Sequence, residues 1–330
     1  APGTAAQLAA TGFANPVLPT DRRRLLDLTD TLVDRSDVQA VQRLDRLTIG
    51  YSRAAWVLRL GRQAVSWGNG FVFTPMDIFN PFEPAALNTE YKNGDDLLYG
   101  QWMLPSGNDW QLVAVPRRNP ASDKVAADQS SLAVKYHRMG GFADWDGLIA
   151  RHYGENLVGL GLVKSIKQSV WRSDVTVTQL GSGDYAVQWV TNMDYSWTWW
   201  NRNVYGYVEY YRNGLGSTAP RLNAIDPDLA ARLERGELFA LGRDYAVLGL
   251  QIELHPLWNL SLNAIVDVHG PSALLPLRLT YDWREDLVLH LGGNLSVGGR
   301  GSEFGGLDAS GQGDYVGPGQ LLFARLAYYF

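Results

Sequence analysis

The sequence predicts an all-β protein: a transmembrane antiparallel β-barrel of about sixteen strands, with one loop folded inward. Three observations predict it. The chain ends on a strand whose two faces differ in chemistry, the same two-residue alternation recurs along most of the chain, and the composition joins many aromatics and glycines to an average hydropathy. Counts of about fourteen or eighteen strands remain compatible with the pattern.

The last strand is the plainest. In Gln320 to Phe330, QLLFARLAYYF, one register holds Phe330, Tyr328, Leu326, Ala324 and Leu322, and the other holds Tyr329, Ala327, Arg325 and Phe323. Period two means a strand, and Arg325 lies on the face opposite Phe330. A terminal Phe, with Tyr two before it and Leu four before it, resembles the signal recognised by the outer-membrane barrel-assembly machinery. The plain alternative is a two-faced terminal strand of a soluble sheet.

The alternation repeats upstream. Trp258 to His269 sets Trp258, Leu260, Leu262, Ala264, Val266 and Val268 against Asn259, Ser261, Asn263 and Asp267. Leu275 to Trp283, Leu287 to Val297, Tyr185 to Trp199 and Ala246 to Leu254 behave likewise. A soluble sandwich rarely repeats such strands at this length. A lipid-facing barrel must, because its outer face meets hydrocarbon and its inner face water. Trp56, Trp67, Trp110, Trp145, Trp171, Trp197, Trp199, Trp258 and Trp283 fall near expected strand ends, where interfacial belts sit.

The strands are expected near residues 22–33, 43–52, 54–67, 95–104, 109–118, 130–138, 144–153, 156–166, 168–179, 183–199, 203–213, 243–255, 257–269, 272–283, 286–298 and 319–330. An even count puts both termini on the periplasmic side with the short turns, and the long connections 68–94, 214–242 and 299–318 on the opposite side. Residues 21–330 then form the barrel. Residues 1–20, small and Pro-containing, are expected to hang in the periplasm or to enter the lumen as a plug.

Composition bounds the rest. The 330 residues are 46% hydrophobic and 19% charged, with Trp 12, Tyr 16, Phe 10 and Gly 35, and the mean hydropathy is −0.17. No window approaches the roughly 18 apolar residues of a helical span. A net charge of −5 argues against a nucleic-acid partner. Cys 0 removes thiol catalysis and disulfides. Ala1 begins without a basic or apolar leader, so an exported chain would already have lost its signal peptide.

Among the loops, 214–242 carries a helix start, with Asp226 as N-cap, Pro227 at the first position and Gly236 as stop. Loop 299–318, with Glu303, Asp308 and Asp314, is Gly-rich, and its acidic spacing matches no known calcium loop. Loop 68–94, GFVFTPMDIFNPFEPAALNTEYKNG after Gly68 and Asn69, is too apolar to float in water. It is expected to pack in the barrel interior as a constriction, with Phe71, Phe73, Asp77, Phe79, Asn80, Phe82, Glu90, Tyr91 and Lys92 as its working residues. The alternative is a cap packed on other loops.

The run LGRQAVSWGNG, then FTPMDIFNPF, then EYKNGDD resembles a block in large proteobacterial outer-membrane barrel families, the alginate-export-like and porin-like families with a GRQ…SWG…NP-x-D-x-x-NP element. The resemblance covers roughly residues 58–95 and implies movement of a molecule across the outer membrane. It names no substrate.

No HExxH, nucleophile elbow or P-loop is present, and the five histidines show no metal spacing on one face. No cofactor, metal or catalytic residue is therefore expected. An outer-membrane enzyme would need Ser or Asp beside a His at one rim.

The inward register is expected to hold Arg46, Arg59, Gln63, Gln111, Arg117, Lys135, Arg172, Asp174, Gln188, Asp194, Glu209, Gln251, Glu253, Asp267, Arg278, Asp282 and Arg325. Basic residues dominate its first half, which suggests a lumen with a basic and an acidic wall that orients polar solutes. Paired charges that brace a closed lumen are the alternative. Tyr205, Tyr207 and Tyr211 would line the lumen beside Glu209, as a track for sugars or as filling. The function expected is a channel or export conduit for a polar or amphipathic solute, without covalent chemistry. A non-conducting structural or partner-binding barrel is the alternative. The expected partners are outer-membrane lipid and lipopolysaccharide, the assembly machinery, and periplasmic or inner-membrane transport components.

Overall fold

The computed structural model describes residues 20–35, 38–84, 92–309 and 312–329. Two strands, β1 (Thr29–Asp34) and β2 (Gln39–Arg43), form a separate hairpin. The main sheet opens with β3 (Leu47–Arg53), β4 (Trp56–Gln63), β5 (Asp95–Met103), β6 (Asp109–Val115), β7 (Ser131–Arg138), β8 (Asp144–His152), β9 (Glu155–Ile166) and β10 (Ser169–Gln179). It continues with β11 (Tyr185–Trp199), β12 (Arg202–Arg212), β13 (Asp244–His255), β14 (Trp258–Asp267), β15 (Ser272–Arg284) and β16 (Leu287–Gly298). After a two-residue ribbon of β17 (Leu307–Asp308) and β18 (Tyr315–Val316), it ends with β19 (Leu321–Tyr328). A helix, α1 (Pro227–Arg235), lies between β12 and β13.

The sheet has fifteen strands in the order β19-β16-β15-β14-β13-β12-β11-β10-β9-β8-β7-β6-β5-β4-β3, each antiparallel to its neighbour. Every pairing joins consecutive members of this set, so it is one meander. Among the described residues β3 and β19 do not pair, and both run in the same direction. Two of the tight turns use the backbone that right-twisted hairpins favour, with positive φ at both central residues: Tyr153 and Gly154, and Trp200 and Asn201. Gly61 is required where β4 meets β3, because a Cβ there would stand 2.1 Å from the Leu47 carbonyl oxygen.

The three longest connections, 64–94, 213–243 and 299–320, all leave one rim, beside the short turns 153–154, 180–184 and 268–271. Residues 54–55, 104–108, 139–143, 167–168, 200–201, 256–257 and 285–286 turn at the opposite, short-turn rim. The sequence expectation that the long connections share a rim is met. The expected first strand near 22–33 is not a member of the sheet. Residues 22–26 turn instead, and β1 pairs only with β2. The described start of the chain lies at the long-loop rim, where Arg23 Nη2 meets Glu234 of α1 at 2.7 Å and the Arg118 amide donates to the Arg23 carbonyl. It does not lie at the short-turn rim, where an even count places it. The cause is a buried ion cluster. The Arg62 side chain is fully buried, donates two bonds to Asp96 at 2.9 and 3.0 Å, and reaches Asp21 at 2.9 Å and the Leu26 carbonyl at 2.6 Å. By register Arg62 and Asp96 share a face with Leu60 and Leu98, so the N-terminal segment covers this end of the outer face.

The two faces of the sheet differ in chemistry. One exposes Ile49, Leu60, Ile149, Val158, Val208, Leu248, Leu322 and Leu326. At the short-turn rim of this face stand Trp56 stacked on Trp102 with ring centres 5.2 Å apart, Trp110 with Tyr136 at 4.5 Å, Trp199 with Trp200 at 4.6 Å, and Trp258 with Tyr281 at 4.2 Å. Trp189 and Tyr210 pair near the other rim. Trp67, expected in this aromatic belt, instead lies in the 64–94 connection and is buried.

Candidate functional site

The second face of the sheet holds the described parts of the 64–94 connection, residues 64–84 and 92–94. Trp67 Nε1 donates to Gln111 on β6 at 2.7 Å, and its ring sits 5.9 Å from the Lys135 ammonium on β7. Phe79 meets His152 at the end of β8. Asn69 donates through its amide and its side chain to Asp174 on β10, and Asn192 on β11 donates to the Asn69 carbonyl. Phe73 stacks on Tyr211 of β12 at 4.3 Å and leans on Tyr245 of β13 at 5.2 Å. On a flat sheet β6 and β13 would stand about 33 Å apart, at about 4.8 Å per strand. The six Cα-to-Cα steps from Trp67 to Phe73 reach at most about 21 Å. The sheet therefore curls around the loop, and the loop lies inside the curl.

Three devices fix it there. Glu209 on β12 accepts from three consecutive loop amides: Phe71 at 2.6 Å, Val72 at 3.1 Å and Phe73 at 2.9 Å. Asp77 and Lys92 form a buried pair, with Nζ 2.6 Å from both carboxylate oxygens and from the Val65 carbonyl. Burial pushes the Asp77 carboxyl up to about 6 although the ammonium opposes the rise, and burial lowers Lys92. Finally, Val65, Trp67, Met76, Ile78 and Phe79 pack with Leu97, Tyr99, Val113, Val115, Ala133, Leu148, Ala150 and Leu157 into one apolar core. Burying such side chains stabilises by about 1.5–3 kcal/mol each. One half of the enclosed space, beneath β5 to β9, is thus filled.

The expected constriction residues Phe71, Phe73, Asp77, Phe79, Asn80, Phe82 and Lys92 all belong to this arrangement. Phe82 lines three cavities, and Asn80 takes a φ of 57° at the edge of one of them. Glu90 and Tyr91 lie outside the described residues.

The expected lumen charges are placed on the inner face, but their arrangement is local. Lys135 pairs with Asp146 at 3.2 Å, Arg172 with Asp194 at 2.7 Å, and Arg117 with Asp95 at 2.7 Å. Arg59 lies over the Tyr99 ring at 4.5 Å, and Glu253 accepts from Asn203 at 2.7 Å. Asp174 and Glu209 are spent on the loop. Arg46 precedes β3 and donates to the Lys92 carbonyl. Asp267 closes the turn at His269. Arg278, Asp282 and Arg325 lie on the far wall, in the register of Thr280 and His290. The expected basic and acidic walls are replaced by neighbour pairs, because the strand register brings opposite charges side by side.

Beneath β11 to β15 a second apolar core of Phe73, Val190, Tyr211, Tyr245, Val247, Ile265 and Leu274 fills the long-loop end, and open space remains beside it. A cavity of about 400 Å³ lies between the loop (Phe71, Phe82) and the wall formed by β12 to β16 and β19. At the long-loop rim a second cavity of about 330 Å³ carries Arg22, Arg24, Arg117 and Arg235 against Asp95 and Glu234.

A Ser–His–acid cluster, which sequence reasoning could not place, stands at the same rim. Ser131 Oγ is 2.8 Å from His152 Nδ1, and His152 Nε2 is 3.5 Å from Glu237. Arg117 Nη1 donates to that hydroxyl at 2.6 Å, and Ser131 is 5% exposed. The Ser131 hydroxyl is buried and accepts from the Arg117 guanidinium, and the cluster ties the start of β7 and the end of β8 to the segment after β6 and to Glu237 of the 213–243 connection. Among the described residues no group of three or more His, Asp or Glu could hold a metal, and no helix is long and apolar enough to cross a membrane.

No protein-family model matches the chain, and no curated protein matches its sequence. Among solved structures, the crystal structure of Acinetobacter baumannii OccAB1 aligns over 85% of this chain and 75% of that chain, with 9% identity and a TM-score of 0.45.

Proposed function

We propose that this chain is an outer-membrane channel that passes a polar or amphipathic solute through the gap between the 64–94 loop and the β12–β19 wall. The observation that carries the reading is the two-faced sheet. Its outer face is apolar and ringed by stacked aromatics at the short-turn rim, its inner face carries the ion pairs and polar anchors along with the apolar core that packs the loop, and it curls around that loop. Fifteen strands leave two edges running the same way. Antiparallel closure takes one more strand, which gives the even count of about sixteen usual for such barrels. The reading assigns the protein to the outer membrane, with lipid and lipopolysaccharide against its outer face and the barrel-assembly machinery as its partner in biogenesis. It assigns no cofactor and no covalent chemistry.

The apolar core around Trp67, Met76 and Phe79 favours a second reading, in which the loop is a permanent plug and the barrel serves a structural or partner-binding role. Single-channel conductance in planar bilayers separates the two. Steady current from the intact protein supports the channel. Current only after deletion of residues 71–84 means a gated conduit. Silence from both forms rejects the channel and leaves the plugged barrel.

A further inference from the structure

The wall of the open space is built as a transverse rung. Register pairs Tyr205 with Gln251, Gln251 with Ser261, Ser261 with Arg278, Arg278 with Gly292, and Gly292 with Phe323. One continuous line of residues thus crosses β12, β13, β14, β15, β16 and β19, with an aromatic at each end and Gln251, Ser261, Arg278 and the bare Gly292 between. The neighbouring rung pairs Tyr207 with Gly249 and Gly249 with Asn263.

Two glycines set how the aromatics lie. A Cβ on Gly292 would stand 2.7 Å from Phe323 Cζ, and one on Gly249 would stand 2.0 Å from Tyr207 Cε1. Both rings therefore lie across bare backbone instead of standing up from it. Phe71 of the loop stacks on Tyr207 at 4.4 Å, with the Arg172 guanidinium 5.0 Å from its ring, and Phe71 as a residue is 37% exposed. Tyr207 donates to Asn263 at 2.8 Å, which orients that amide.

We propose that this cavity is a binding subsite for a neutral saccharide. The inference rests on the channel reading only for how the ligand arrives. Flat aromatic surfaces at both ends suit the C–H faces of a sugar ring, and Gln251, Ser261 and Asn263 supply both donors and acceptors for its hydroxyls. A carboxylate ligand would call for convergent cations, whereas this lining holds Arg278 and Glu83, one charge of each sign. The volume of about 400 Å³ falls in the range of about 300–1,000 Å³ usual for small-ligand sites.

The test is calorimetric titration of the purified full chain in detergent with maltotriose, and with gluconate as the charged counter-probe. Current block by the same two probes in a bilayer runs in parallel. Maltotriose is expected to bind and gluconate not to. Phe323→Ala is expected to weaken maltotriose binding about tenfold, the worth of one aromatic contact. Gln251→Ala, which leaves the aromatics in place, guards against a folding defect in the first variant and is expected to weaken binding as well. Circular dichroism checks that each variant is folded. No heat with maltotriose, equal binding of gluconate, or binding unchanged in both folded variants overturns the subsite. Sugar binding without any current would keep the subsite and reject the channel. Current without sugar binding or block would do the reverse.

Discussion

Glu209 holds Phe73 of the infolded loop by its backbone, the Phe73 amide donating to Oε1 at 2.9 Å from a strand 136 residues further along the chain. With the Phe71 and Val72 amides on the same carboxylate, one side chain fixes the tip of the loop. Glu209→Ala leaves three amides without that acceptor, at a cost of at least about 2 kcal/mol. The variant is expected to show larger and noisier single-channel current than the parent. Unchanged current would mean that the apolar core alone sets the loop position.

At the base of the loop, Asp77→Ala leaves the Lys92 ammonium buried without its counter-charge. A loss of about 3–5 kcal/mol is expected from breaking such a pair one-sidedly. The double variant Asp77→Asn with Lys92→Met removes both charges and is expected to recover most of it. Denaturant titration in detergent checks both.

Glu303, in the 299–320 connection, accepts from the Leu241 amide at 2.9 Å, the Gly242 amide at 3.0 Å and the Tyr245 hydroxyl. Burial raises its carboxyl from 4.5 to about 7. The folded state therefore binds more protons than the unfolded state between these values. The stability this group contributes is full below pH 4.5, falls as the pH rises, and is lost once the pH passes 7. Its size is on the order of 3 kcal/mol. Amide hydrogen exchange at Leu241 and Gly242, corrected for the intrinsic pH dependence of exchange, is expected to speed up across that window. Glu303→Gln is expected to flatten the change.

Val208 is 56% exposed near the middle of β12, on the face with the stacked aromatics. Val208→Lys is expected to cost about 2–4 kcal/mol in a lipid bilayer, as a charge on a lipid-facing strand does. On a water-facing strand it would cost almost nothing. Folding titrations into vesicles decide between the two.

Most of the sheet was legible because its outer face is written in single residues. Leu260, Leu262 and Val266 alternate with Ser261, Asn263 and Asp267 whatever the rest of the chain does. The exception is instructive. Residues 22–28 carry enough Leu and Arg to pass for a strand, yet Asp21 joins Arg62 and Asp96 across 41 and 75 positions and folds the segment onto the rim. By alternation Arg62 and Asp96 belong to the apolar outer-face register of Leu60 and Leu98, so no local pattern marks them as a buried pair. The loop was recognisable from its apolar content. Its anchors were not, because an inward Glu209 reads the same whether it faces water or grips an amide. In the sequence Phe323 shows only as a member of one face of the last strand. Its place in the cavity depends on Gly292, a neighbour known only from register.

The meander has a consequence for how the protein forms. Each strand of the sheet bonds to the member before it, so hairpins can zip up one after another with small loop-closure entropy at each step. The 64–94 loop breaks this locality. Its anchors at Asp174, Asn192 and Glu209 lie 105 to 138 residues downstream, so its docking waits until β12 exists. The seating of this loop is then expected to come late in folding. Until it seats, Trp67, Met76 and Phe79 have no core to enter, and the half-built curl is the species most exposed to aggregation.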